Sequence, residues 1–343
     1  VAIIFFDSFD HYNAADIGSK WSAIQSLGDL SMVTGRFGGQ ALKINAVSNA
    51  ASLTKNVSPI TNFVMGLAYY RSSFTFENIP FSFYSGSSEQ VSVNLGSDGT
   101  LNFYYNGSPL TVTNASAYSP LTLNRWNFIE ILINCSTSVG ANSCKIFVNN
   151  NLYQTLNTGQ NIDHAGTGTI NNITTRNTYP NQSQNYIDDF YLLTIDADTT
   201  GPLGDSRVEA IYPTGAGSNT DWTPDSGSNY ARVNEVHADG DTSYVSSNTL
   251  DQVDTYAFGG LSSTPSAIYG VQACLWNRKD ATSVRQIEPT AFVGGTAYSQ
   301  LPSTSMSTSY SCYTAIFRFN PATLAVWTES DINGAEFGFT LST

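Results

Sequence analysis

Along most of this chain, apolar and polar residues alternate in short runs separated by clusters of Gly, Asn, Asp and Ser. Alternation with a period of two puts one set of side chains on a buried face and the other on a solvated one, which is the mark of a β-strand. The runs ALKINAV (41–47), FVMGLAYY (63–70), QVSVNL (90–95) and TLNFYY (100–105) read this way. Ser97-Asp98-Gly99 joins the last two as a hairpin, and Asn106-Gly107 supplies the next turn. WNFIEILIN (126–134), CKIFVNN (144–150) and NYIDDFYLLTI (185–195) follow. Apolar residues at helical spacing are nearly absent. The pattern predicts an all-β protein of many short antiparallel strands, arranged as a sandwich or jelly roll.

The second half continues in the same manner with DTYAFGGL (254–261), AIYGVQACLWN (267–277), VRQIEPTAFVGG (284–295) and YTAIFRFN (313–320). Both faces of AIYGVQACLWN are largely apolar, which predicts a central strand. Thr328 followed by Asp331 resembles a capping box, predicting one short helical turn before GFTLST closes the chain as a strand. DADTTGPLGD (196–205) is polar and carries Gly and Pro, so it reads as a linker. The expected organisation is two tandem β-sandwich or jelly-roll domains, 1–200 and 201–343.

Composition narrows the function. Charged residues are 12 % and aromatic residues 13 % of the 343, a β-rich and ordered composition. The net charge of −13 is spread over both halves, −5 up to Thr200 and −8 beyond it. Neither half offers the basic stripe that nucleic-acid binding needs. No apolar run reaches the roughly 18 residues of a membrane span. The opening VAIIFFDSF lacks a basic stretch and reads as a first strand rather than a signal peptide, so synthesis in a cytoplasm is expected. Of the four cysteines, Cys135 and Cys144 flank STSVGANS and are candidates for a bridge across a hairpin, or else two buried thiols; Cys274 and Cys312 lie in apolar runs and read as core.

Residues in patterns that carry chemistry are few. Hydrolysis of a glycosidic bond needs two facing carboxylates, and the strand 126–134 carries one acid, Glu130. Asp188 and Asp189 are adjacent on a strand, so alternation points them to opposite faces; one of them is expected to support a loop. His11, His164 and His237 sit near no strained Ser elbow. Asp239-Gly240-Asp241 offers two carboxylates on a Gly turn, a weak calcium candidate better read as an Asx turn; Asp196 and Asp198 are a similar case. No catalytic or cofactor residue is assigned, and calcium is the one ion considered. Tyr69, Tyr70, Tyr104, Tyr105, Tyr118 and Tyr179 are candidates for stacking on a sugar.

Two stretches resemble known families. A Trp-led strand (Trp126–Asn134), a strand running into an Asn turn (Lys145–Asn151) and a closing strand (Tyr186–Tyr191), with FFDSFDHY and GRFGGQALKI upstream, look like the laminin-G-like, concanavalin-A-like jelly roll. In Leu203–Val245, the elements LGDSRV, TDWTP and DGDTSYV resemble a segment of tailed-bacteriophage virion proteins, as does the ending WTESDIN. That resemblance implies a non-enzymatic structural protein on the particle surface, a head decoration or fibre or a tail-associated appendage, made in the bacterial host. It also implies other capsid or tail proteins as partners, and assembly with copies of itself, often as trimers. The alternatives carried forward are an adhesin gripping a host surface glycan, and a polysaccharide-degrading enzyme.

Overall fold

A computed structural model describes residues 2–47, 49–74, 77–114, 120–178, 184–195, 201–300 and 303–342. The chain is nearly all β and divides into two compact units, Val1–Val208 and Glu209–Thr343. No helix among the described residues is long and apolar enough to cross a membrane.

The first unit contains β1 (Ala2–Asp7), β2 (Ala23–Gln25), β3 (Leu30–Thr34), β4 (Gln40–Ile44), β5 (Ala51–Ile60), β6 (Asn62–Arg71), β7 (Asn78–Ser85) and β8 (Ser88–Leu95). It continues with β9 (Leu101–Tyr105), β10 (Ser108–Pro109), β11 (Val112–Asn114), β12 (Trp126–Asn134), β13 (Ser143–Val148), β14 (Asn151–Leu156), β15 (Ile170–Asn177) and β16 (Asn185–Thr194). Two antiparallel sheets form from them. The nine-stranded sheet runs β11-β14-β13-β12-β6-β16-β4-β3 with β1 also on β16, and the seven-stranded sheet runs β10-β9-β8-β7-β15-β5-β2. This is the jelly-roll β-sandwich expected from the strand pattern.

Local sequence explains the hairpins. Asn106 and Gly107 both take positive φ (50° and 78°), as do Asn149 and Asn150 (49° and 69°), the backbone a tight two-residue turn requires. Between the sheets lie Ile129, Ile131 and Ile133 of β12, Phe81 and Phe83 of β7, and Val91 and Val93 of β8, all fully buried. Phe63 meets Phe83 and Tyr69 meets Phe81 across the layers, each pair at 5.8 Å between ring centroids.

The outer faces of the two sheets differ in kind. On the nine-stranded sheet, the outer face carries the apolar cluster Val64, Ala68, Phe128, Tyr191 and Leu193, and Leu203 packs on it. The segment 201–208 therefore lies over this sheet as a strap. Gly204 N–H donates to Glu130 Oε1 (2.9 Å), Asp205 N–H to Asn150 Oδ1 (2.6 Å) and Val208 N–H to Asp189 Oδ1 (2.8 Å). For this reason the units divide after Val208 rather than near Thr200. The LGDSRV motif belongs to the first unit.

The second unit contains β17 (Pro213–Thr220), β18 (Thr223–Pro224), β19 (Val245–Ser246), β20 (Val253–Phe258), β21 (Val271–Asn277), β22 (Gln286–Val293), β23 (Thr296–Ser299), β24 (Thr304–Ser305), β25 (Ser311–Phe317), a helical turn α1 (Glu329–Gly334) and β26 (Glu336–Ser342). Its main sheet runs β17-β20-β26-β22-β23, with β24 also on β22; β18–β19 and β21–β25 form separate two-stranded ribbons. Phe337, Phe339 and Leu341 of β26 point to one face and join two neighbouring clusters, one around Trp222, the other around Trp327. Trp222 of TDWTP is buried and its Nε1–H donates to Gln252 O (3.3 Å), so it anchors the irregular 221–252 region. Thr328 and Asp331 make the reciprocal capping-box bonds ahead of α1. One strand departs from expectation: among the described residues β21 has a single neighbour, β25, and its second face is half-buried rather than central. Its apolar residues on both faces reflect a ribbon packed by Val271, Ala273 and Leu275 on the main sheet, not a strand inside it.

Candidate functional site

Among the described residues, the outer face of the seven-stranded sheet bears no apolar cluster like that of its partner sheet. Since Phe81, Phe83, Val91, Val93 and Ile173 point inward, alternation turns Ser82, Ser92 and Thr174 outward. Strand register aligns the outward residues into one row: Thr54 opposite Thr174, Thr174 opposite Ser82, Ser82 opposite Ser92, and Ser92 opposite Tyr104. A flanking row holds Asn172, Tyr84 and Glu89. On the other side stand Arg176, Asn94 and Asn102. The row crosses five strands, about 19 Å at ordinary strand spacing.

Its floor is made of small hydroxyl side chains. Ser82 and Ser92 are 0 % and 1 % exposed, and Thr174 and Thr54 are 7 % and 9 % exposed. Buried hydroxyls need partners, and these have them: Thr54 and Thr174 share a 2.9 Å bond, Thr174 donates to Asn172 (3.1 Å), and Ser92 donates to Glu89 (3.2 Å). Tyr84, Tyr104, Arg176, Glu89 and Asn172 rise beside the floor and stay half-buried.

Arg176 is the centre of this face. Its Nη2–H donates to Ser82 Oγ (2.7 Å), its Nη1–H to Tyr84 Oη (3.4 Å) and its Nε–H to Ile79 O (3.2 Å). Glu89 Oε2 lies 3.8 Å from Nη2. Glu89 is the only carboxylate on the strands of this sheet. The sheet's other cation, Lys55, donates to Lys20 O and lies over the Phe5 ring. Tyr105 follows Tyr104 and is turned by alternation away from this face; His164 stacks on it, and burial holds the His164 imidazole below the ordinary histidine value. Its Nε2 is buried without a hydrogen-bond partner among the described residues.

The candidates read from sequence fall elsewhere, with one exception. Tyr104 stands on the polar face; Tyr69 is buried between the sheets, where it donates to Asn185 (2.9 Å). Tyr70 packs edge-on against Tyr186 beside Trp126. Tyr118, Tyr179, Asp196 and Asp198 lie outside the described residues. Glu130 accepts from Tyr191 Oη and Gly204 N–H and serves the strap. Cys135 and Cys144 form no bridge; both are buried, and burial pushes the Cys135 thiol up to about 12. In the second unit Asp241 accepts from Arg278 (2.8 Å) and Tyr310 (2.8 Å), and Asp239 accepts from Ser243 (3.0 Å). No group of three or more metal-ligating side chains occurs among the described residues.

Asp188 and Asp189 do not follow simple alternation. Asp189 has a positive φ (50°) and the register with β6 shifts between Asp188 and Tyr191. This bulge lets both carboxylates reach the same loop: Asp188 accepts from the Arg36 N–H (2.8 Å), and Asp189 pairs with the Arg36 guanidinium (3.4 Å). Burial raises both carboxyls above the ordinary range; mutual repulsion lifts Asp188 further, while Val208 N–H and Arg36 pull Asp189 back. A raised carboxyl pKa in the fold means that the folded chain binds more protons than the unfolded one, so stability falls as pH rises through the raised values. Asp188→Asn is therefore expected to raise the thermal midpoint most at mildly alkaline pH, by progressively less as pH falls, and to leave it nearly unchanged only below the ordinary carboxylate range, as read in melts across that range.

No family model and no curated protein matches the chain. Solved structures do. The alginate lyase Aly36B is 14 % identical, with 54 % of this chain and 92 % of that one covered, at a TM-score of 0.41. The alginate lyase vAL-1 from Chlorella virus is 11 % identical, covering 57 % and 100 %, at 0.42. The catalytic domain of a glycoside hydrolase family 131 protein from Coprinopsis cinerea is 14 % identical, covering 60 % and 99 %, at 0.41. At such identities the likeness speaks to fold. Those three structures are two alginate lyases and a glycoside hydrolase catalytic domain, and none bears on a phage particle; the expectation of a non-enzymatic structural protein of a phage particle is corrected and not carried further. The residues at the centre of the polar face, Arg176, Tyr84 and Glu89, are not among the candidates read from sequence. Tyr84 and Glu89 face each other across the β7–β8 hairpin, and Arg176, 92 residues beyond Tyr84, joins them only through the pairing of β15 with β7.

Proposed function

We propose that the first unit acts on carbohydrate, and that the outer face of the seven-stranded sheet holds the glycan. The observation that carries this reading is the continuous polar row from Thr54 to Tyr104. The buried hydroxyls form its floor, while the half-buried phenol, amide, guanidinium and carboxylate of Tyr84, Asn172, Arg176 and Glu89 beside it match the donors and acceptors of a sugar chain, and Tyr104 offers an aromatic face for a ring. A row of about 19 Å suits an oligosaccharide rather than a single sugar.

A second reading, cleavage of the bound chain, is favoured by one further observation: a phenol and a carboxylate both lie within reach of the Arg176 guanidinium. Hydrolysis by two facing carboxylates lacks its second acid on this sheet. Removal of a proton beside a sugar carboxylate fits better: Arg176 neutralises that carboxylate, Tyr84 as its phenolate takes the proton from the adjacent carbon, the bond to the glycosidic oxygen breaks as the carbon–carbon double bond forms, and the Tyr84 proton passes to the departing oxygen.

The test is a panel of neutral and uronate-containing polysaccharides presented to the full chain. Saturable binding is expected, weakened about tenfold by Tyr104→Ala and unchanged by Tyr70→Ala, which lies on the other sheet. Failure to bind every member of the panel would sink the proposal. Ultraviolet absorbance from a new carbon–carbon double bond, or new reducing ends, would report cleavage.

A further inference from the structure

In the second unit, β21 and β25 pair with each other along their whole length and with no other strand among those described. The register sets Cys274 opposite Thr314 and Cys312 opposite Trp276. The cysteines are therefore diagonal neighbours, and both project from the same face of the ribbon. Their sulfurs are 3.0 Å apart and no disulfide joins them. Non-bonded carbons ordinarily keep about 3.5–4.0 Å, and sulfur is larger, so the thiols are already pressed together. A bond needs an approach of only about 1 Å more, to about 2.05 Å. Both side chains are half-exposed, which leaves them open to a small oxidant.

We propose that Cys274 and Cys312 form a reversible disulfide that staples the β21–β25 ribbon. The oxidant is a low-molecular-weight disulfide such as oxidised glutathione. One protein thiolate attacks it, giving a mixed disulfide and releasing one glutathione thiol. The second protein thiolate then displaces the other glutathione. The protein loses two S–H bonds and gains one S–S bond, while the small disulfide is reduced by the same two electrons. The bridge would enclose residues 275–311, which include β22 of the main sheet, so it would tie a two-stranded ribbon to the sheet's own topology. A two-stranded ribbon is marginal alone, and closing a loop of this size restricts the unfolded chain. Cys135 and Cys144 differ: they are buried, and their thiols are raised far from thiolate formation.

The experiment treats the folded full-length chain with oxidised glutathione, blocks remaining thiols with iodoacetamide, and maps peptides by mass spectrometry. The expected product is a peptide pair cross-linked through Cys274 and Cys312, lighter by two hydrogens. Cys135 and Cys144 are expected to be alkylated only after unfolding. The oxidised protein should melt about 5 °C or more above the reduced one, and dithiothreitol should reverse the shift. Cys312→Ser should abolish it. Recovery of Cys274 and Cys312 both alkylated, or both left as glutathione adducts, would overturn the proposal; this mapping needs no variant, so it stands even if Cys312→Ser fails to fold.

Discussion

Asp7→Ala is expected to lower the stability of the first unit by about 3–5 kcal/mol, the range for removing one partner of a buried charge pair. Asp7 is fully buried and accepts four bonds: from Phe9 N–H (3.0 Å), Tyr12 Oη–H (2.5 Å), Lys20 Nζ–H (3.0 Å) and Trp21 Nε1–H (2.7 Å). Lys20 is as hidden as its partner, with a side chain 1 % exposed. Alanine would leave an ammonium, a phenol and an indole without this acceptor inside the aromatic cluster of Phe5, Phe9, Trp21 and Phe190. Burial pushes the Asp7 carboxyl up, but Lys20, His11, Tyr12 and Phe9 together outweigh it and hold the group below its ordinary value. A depressed carboxyl pKa contributes stability that is present above the unfolded value and lost as pH falls through the folded one. The gap between wild type and Asp7→Ala should therefore be full at pH 7 and shrink below the ordinary carboxylate range. Calorimetry at pH 7 should show a midpoint lower by about 10 °C or more; an unchanged midpoint would show that the network contributes nothing.

Arg176→Ala is expected to reduce glycan binding about a hundredfold. The guanidinium joins Ser82, Tyr84 and Ile79, and Glu89 lies beside it, so its loss removes the donors at the centre of the polar face and releases the side chains that frame it. Arg176→Lys keeps the charge but not the planar fork, and should recover only part of the loss. A merely structural role predicts a different result: a lowered melting midpoint with binding restored at low temperature. Titration calorimetry of the full chain at two temperatures separates the two. Equal affinity of Arg176→Ala and wild type would remove Arg176 from the site and leave the row without its centre.

Much of the architecture was legible from residues alone. Period-two alternation marked β6, β8, β9, β12 and β16. The Asn106-Gly107 turn was visible because few residues tolerate positive φ. The Thr328–Asp331 cap was visible because both bonds lie within one helical turn. Where reading by residues failed, a long-range contact was responsible. The 201–205 stretch looks like linker by composition, yet its backbone N–H groups find Glu130 and Asn150, far away in the chain. Asp188 and Asp189 look divergent, yet a bulge turns both toward Arg36. Cys135 and Cys144 attracted attention by their short spacing, while the sulfurs that meet are those of Cys274 and Cys312.

The sequence by itself determined that this chain is β throughout and where most strands and tight turns fall. These are local matters, set by alternation, by backbone conformations that Asn and Gly accept, and by caps a few residues long. Only the tertiary structure decided which outward faces matter. Two sheets with similar alternation present opposite chemistry, one apolar and covered by its own strap, the other a row of hydroxyls with Arg176 at its centre. That difference depends on strand order and register, which place residues 54, 82, 92, 104 and 174 side by side. The pairing energy that sets register is spread over whole strands, and no single motif carries it.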